Sequence, residues 1–98
     1  WSSFYLRQYE AQVNQKMAPF VYLRTYHGRK LKTVTYSVDR GDWGVISGYE
    51  DTEQRDGFYA ICRIRFQRLV CVDMSWKAHE KNFVAPMIDR IVRSFRRN

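Results

Sequence analysis

Leu6, Tyr9, Val13 and Met17 recur at steps of three and four residues, with Arg7, Glu10, Gln12, Asn14 and Lys16 between them. That is the period of an amphipathic helix. Ser2 or Ser3 can cap its start and Pro19 biases Ala18 away from helical geometry, so the spacing predicts a helix over 4–17. Beyond the proline, Phe20, Tyr22, Arg24 and Tyr26 alternate with Val21, Leu23 and Thr25. This β-rich stretch predicts a strand ending at the His27-Gly28 turn signal.

From position 32 onward the period is two. Val34, Tyr36 and Val38 alternate with Thr33, Thr35 and Ser37, Asp39-Arg40-Gly41-Asp42 reads as a turn, and Trp43, Val45, Ser47 and Tyr49 continue beyond it. With those four residues as the loop, Val38 opposes Trp43, Tyr36 opposes Val45 and Val34 opposes Ser47, which places the apolar residues of both strands on one face. A polar, acidic loop follows over 50–57. Phe58, Ala60, Cys62, Ile64 and Phe66 then alternate with Arg63 and Arg65, and the next strand carries Val70, Val72, Met74 and Trp76.

Two registers can join these last strands. A two-residue turn at Gln67-Arg68 sets Cys62, Ile64 and Phe66 on a face with Cys71 and Asp73, mixing core with charge. A three-residue loop ending at Leu69 opposes Phe66 to Val70, Ile64 to Val72 and Cys62 to Met74, giving one continuously apolar face. The second is favoured, and it separates Cys62 from Cys71 on opposite faces, where no disulfide can form. The chain closes with Phe83, Met87, Ile88, Ile91, Val92 and Phe95 on one stripe and Asp89, Arg90, Arg93 and Arg97 on the other. This predicts an amphipathic helix over 82–96 with Pro86 in its first turn. The expected fold class is α+β: an antiparallel meander of four to five strands, with strands at 32–38, 43–50, 58–66 and 70–76, an N-terminal helix, and the C-terminal helix packed on one face.

Length and composition add bounds. At 98 residues, 45% hydrophobic and 28% charged, the chain suits a single domain over 1–98 and is neither fibrous nor disordered. No apolar run approaches the roughly 18 residues of a membrane span. Trp1 in place of Met points to a processed product or a piece of a longer chain. The net charge of +7 is uneven, since residues 1–35 hold six basic groups and one acidic, 36–57 two and six, and 58–98 nine and three. A basic chain with an acidic island suits nucleic acid, an anionic membrane surface or an acidic protein, and charge alone does not choose. Cys62 and Cys71 lack metal or redox spacing and read as small hydrophobes and free thiols. Free thiols are compatible with either a cytosolic or an exported setting.

Val45-Ile-Ser-Gly-Tyr49, the acidic loop, Phe58-Tyr59, a hairpin and then Pro86-Met-Ile-Asp-Arg-Ile-Val-Arg-Ser-Phe95 resemble the C-terminal part of small bacterial exported domains of the Mog1/PsbP-like architecture. The resemblance runs over about residues 31–97, and the helix ending in Arg93-Ser94-Phe95 carries most of it. It implies an accessory, assembly or chaperone-like role without a shared catalytic site, and a bacterial periplasmic or secreted setting, with the cytoplasm as the alternative.

Candidate chemistry is sparse. His79-Glu80 opens like a zinc-protease helix, but Phe83 stands where the second His is needed. His27 reads as a turn residue and Cys71 as packing rather than as a nucleophile. Gly41, Gly44 and Gly48 match no phosphate-binding motif and suit turns and sheet packing. Asp51, Glu53 and Asp56 lack the Gly and the terminal Glu of a calcium loop. No enzyme activity, metal or cofactor is therefore expected. Tyr59, Arg63, Arg65 and Arg68 are expected to project from one sheet face as the binding surface for a protein partner, with the acidic loop over 50–57 as the other candidate surface. The alternative is single-stranded nucleic acid, which basic residues interleaved with aromatics suit.

Overall fold

The computed structural model describes residues 4–11, 17–27, 33–50 and 55–97. Five strands form one antiparallel sheet: β1 (Tyr5–Glu10), β2 (Thr33–Asp39), β3 (Trp43–Tyr49), β4 (Gly57–Arg65) and β5 (Arg68–Trp76). A helix α1 (Pro19–His27) links β1 to β2, and a single 3₁₀ turn leads from β5 into the long helix α2 (Lys81–Arg97). The α+β class and the meander from β2 to β5 follow the alternation of the sequence. The sheet order β1-β5-β4-β3-β2 sets the first strand beside the last.

The N-terminal third departs from its local pattern. Residues expected in a helix over 4–17 instead form β1 where they are described, and 12–16 lie outside the described residues. In β1 Leu6, Gln8 and Glu10 share one face and Tyr5, Arg7 and Tyr9 the other, so Leu6 and Tyr9, one helical step apart, turn to opposite sides of the sheet. Pairing with β5 along six residues decides for the strand, a long-range ladder that no local window contains. The strand expected over 20–26 is α1. Pro19 marks a helix start rather than a helix end: its fixed φ suits a first turn, and the Tyr22 amide donates to the Ala18 carbonyl at 3.1 Å. Pro19, Tyr22 and Leu23 are buried on one side of α1 while Val21, Arg24, Thr25 and Tyr26 are exposed.

Both hairpins are tighter than expected. Asp39 and Arg40 continue the β2–β3 pairing, so Val38 opposes Val45 rather than Trp43, and Tyr36 opposes Ser47 rather than Val45. That shift of two keeps those side chains on the expected face, but an irregularity between Val34 and Tyr36 sets Val34 against Gly48 on the other. A Cβ on Gly48 would run into the Thr33 carbonyl, so the close approach needs glycine. Between β4 and β5 the turn is Phe66-Gln67, with φ of 52° and 65°, as a type I′ turn requires. Arg65 opposes Arg68, Ile64 opposes Leu69, and Cys62 opposes Cys71. The three-residue loop and the free thiols are thus corrected: Cys62 and Cys71 share a face and form a disulfide, with Cα atoms 4.1 Å apart. Asp73 comes to the same face, where Arg7 bonds it at 3.1 Å and the Tyr9 hydroxyl donates to it at 3.3 Å.

Alternation gives the sheet two apolar faces with a helix on each. Ile46, Phe58, Ala60, Cys62, Leu69 and Cys71 form one core with Tyr22 and Leu23 of α1. Phe20 of α1 lies against Gly44, where a Cβ would leave only 3.1 Å. Val45, Ile61, Val72 and Met74 form the other core with Val92 of α2, to which Trp43, Tyr59, Ile88, Ile91 and Phe95 add. Phe83, expected on the buried stripe, is 68% exposed; Val84 one position on is fully buried. Pro86 lies in the second turn of α2, which begins one residue earlier than expected.

Candidate functional site

Tyr59, Arg63, Arg65 and Arg68 do project from one sheet face, because Arg65 opposes Arg68 and alternate residues of β4 share a side. That face is not bare, however, for it is the one α2 covers. Arg63 is turned to the end of the helix, where its Nη1 donates to the carbonyls of Phe95 at 2.8 Å and Arg96 at 3.0 Å. It serves two of the carbonyls that have no partner within the last turn, and its charge complements that end of the dipole. Tyr59 is half-buried, and burial first, then the fields of Tyr36 and Asp89, push its hydroxyl up to about 12 against the opposing effect of Arg96. Arg65 and Arg68 are exposed, with Arg68 3.3 Å from Glu10 and Arg65 over the ring of Phe66 at 5.7 Å. Phe66 itself is 87% exposed at the hairpin tip.

A concave site arises beside these residues for a geometric reason. A helix with its side chains is about 10–12 Å across, whereas five strands spaced about 4.8 Å apart span roughly 20 Å. Helix α2 packs on β4 and β5 and leaves the β1 side of its face open. The result is a groove of about 740 Å³. Its floor is Leu6, Val70, Val72, Ile91 and Phe95, and Arg65, Arg90, Arg93 and Arg97 stand around it with Gln8 and Ser94. Arg93 is paired with Asp89 at 2.8 Å. Among the described residues no carboxylate lies within ion-pair distance of Arg65, Arg90 or Arg97. Leu6 is 44% exposed in this groove.

Of the residues expected at the site, only Arg65 lines the groove. Arg90, Arg93 and Arg97 were legible as the polar stripe of a helix, but their convergence on Leu6 depends on β1 lying beside β5, and no local signal gives that. A smaller hollow of about 290 Å³ on the opposite face is lined by Tyr5, Arg7, Phe58, Asp73 and Ser75. Its charges are occupied: Asp73 raises the Arg7 guanidinium by direct hydrogen bonding, and burial together with the Tyr22 hydroxyl at 3.4 Å holds Tyr9 in its neutral form.

The disulfide leaves Cys71 no thiolate, and both cysteines are fully buried, so the nucleophile considered at that position does not exist in the oxidised chain. His79 is exposed in the 3₁₀ turn, and the side chain of His27 lies outside the described residues. Among the described residues no three His, Cys, Asp or Glu side chains gather as metal ligands, and no helix is long and apolar enough to cross a membrane. Compared with protein families, curated proteins and solved structures, the chain matches none.

Proposed function

We propose that this domain is a non-catalytic interaction module that binds a protein partner through the groove between α2 and β1. The observation that carries the reading is an apolar floor bordered by four arginines, three of them without a carboxylate partner among the described residues. A floor of aliphatic and aromatic side chains rewards burial of apolar surface, while the guanidinium groups favour carboxylates and speed encounter with an acidic surface. The fitting partner is an acidic segment that also carries large apolar residues. The accessory or assembly role implied by the Mog1/PsbP-like resemblance is of this kind. The disulfide supports the exported setting, since such bonds persist in oxidising surroundings.

One observation favours the nucleic-acid reading: Phe66 stands exposed between Arg65 and Arg68, a basic hairpin tip with a ring on which a base could stack. Titration at about 150 mM salt separates the two. Labelled peptides rich in Glu and Leu are expected to bind, and Arg90→Glu with Arg97→Glu to abolish that binding while Phe66→Asn leaves it intact. Binding of a short oligonucleotide that Phe66→Asn weakens, with no binding by any acidic peptide, overturns the protein-partner reading.

A further inference from the structure

Strand β1 ends the sheet on the groove side, and its backbone is oriented for a further neighbour. The Ala11 amide donates to the Leu69 carbonyl at 2.8 Å, so Ala11 and every second residue before it, Tyr9, Arg7 and Tyr5, turn their N–H and C=O groups toward β5. Leu6, Gln8 and Glu10 therefore turn theirs outward, and no described strand pairs with them. The side chains of Leu6 and Gln8 line the groove. One set of residues thus offers both an open hydrogen-bonding edge and part of the groove lining. A strand added there places its alternate side chains on the α2 side, beside Leu6 and within reach of Arg90 and Arg97.

Resting on the protein-partner reading, we infer that the partner segment binds extended, as a sixth strand on β1, with apolar and acidic residues at alternate positions facing the groove. The apolar residue lies beside Leu6. The acidic one lies toward the guanidinium groups of Arg90 and Arg97, on the helix whose end Arg63 fixes by its bonds to the Phe95 and Arg96 carbonyls. Backbone bonds along Leu6, Gln8 and Glu10 supply affinity that is independent of sequence. The arginines and the apolar floor then select among segments able to pair.

The test uses an eight-residue peptide with Leu and Glu on one face and Thr on the other, and its two N-methylated series. Methylating the amides that face β1 is expected to weaken binding at least about tenfold, whereas methylating the alternate amides has little effect. Exchange of the Leu6, Gln8 and Glu10 amides should slow on binding. Gln8→Pro, which removes an outward N–H and leaves the β5 ladder intact, should weaken binding about as much while the melt is retained. A peptide that binds the groove with both methylated series equal and unchanged β1 exchange overturns strand addition but leaves the protein-partner reading standing. Failure of every acidic and apolar peptide, extended or helical, overturns both. Self-association lost in Gln8→Pro, without peptide binding, assigns the edge to a second copy of the chain instead.

Discussion

Reductant reaches the Cys62–Cys71 bond only when the surrounding strands open, because both side chains are fully buried. Alkylation of the denatured, non-reduced chain is expected to add no label, and two after reduction; two labels without reduction would refute the pairing. Dithiothreitol should act slowly on the native protein and quickly in denaturant. With so short a loop, closing the bond stabilises the fold by roughly 2–3 kcal/mol on the chain-entropy model, so the reduced protein should unfold at lower urea. Tyr59 sets a second residue-scale expectation. Its folded value of about 12 lies above the ordinary phenol value, so its neutral form is favoured in the native state. Its contribution is full below pH ~10 and is lost as pH rises toward 12, since the unfolded chain ionises first. Tyr59→Phe should therefore lose less stability than the parent between pH 8 and 11. Equal losses would show that Tyr59 does not titrate across that window.

Arg63 and Arg65 are two residues apart on one strand face and do different work at the scale of the element. Arg63 ties the end of α2 to β4, so Arg63→Ala should cost about 1–3 kcal/mol and reduce helical ellipticity, while Arg65→Ala leaves the melt nearly unchanged. Equal effects of the two variants would contradict the capping role. The β4–β5 hairpin holds Phe66 and Gln67 at positive φ, a region in which residues with a Cβ are disfavoured. Phe66→Asn with Gln67→Gly should raise stability by about 1 kcal/mol, because Phe66 gives up almost no burial and Asn-Gly suits a type I′ turn. No gain in the urea midpoint would mean that other contacts already offset the backbone cost. Nothing in Phe-Gln announces positive φ, so the two-residue turn is not legible in the sequence, where apolar register alone points to a longer loop.

The sheet as a whole depends on being covered from both sides. Removing the chain from Asp89 onward takes Ile91, Val92 and Phe95 off Val45, Ile61, Val72 and Met74. At about 1.5–3 kcal/mol for each fully buried apolar side chain, the loss approaches the stability of a small domain, so the truncated chain should show no cooperative melt. A retained transition would show that the α1 core alone sustains the fold. The same one-helix coverage of a five-stranded face produces the groove, so the candidate site exists only at the scale of the whole molecule.

By itself the sequence determined what short-range periodicity can encode. The alternation from Val34 to Trp76 specified the meander, and the stripe from Ile88 to Phe95 specified the C-terminal helix, because periods of 2 and 3.6 are written directly in side-chain order. Tyr59, Arg63 and Arg65 share a side for the same reason, whereas the side taken by Arg68 follows from the β4–β5 turn, and that face is the one α2 covers rather than the open one expected. Tertiary structure decided whatever depended on partners distant in sequence or on the parity of a loop. Residues 5–10 carry a helical spacing and become a strand because β5 offers a ladder. One residue more or fewer in the β4–β5 turn moves Cys71 and Asp73 from one face to the other, and local hydrophobicity misjudged that choice because it assumed a single apolar face. The sheet buries both, so Val72 and Met74 lie under α2 while Cys62 and Cys71 join under α1.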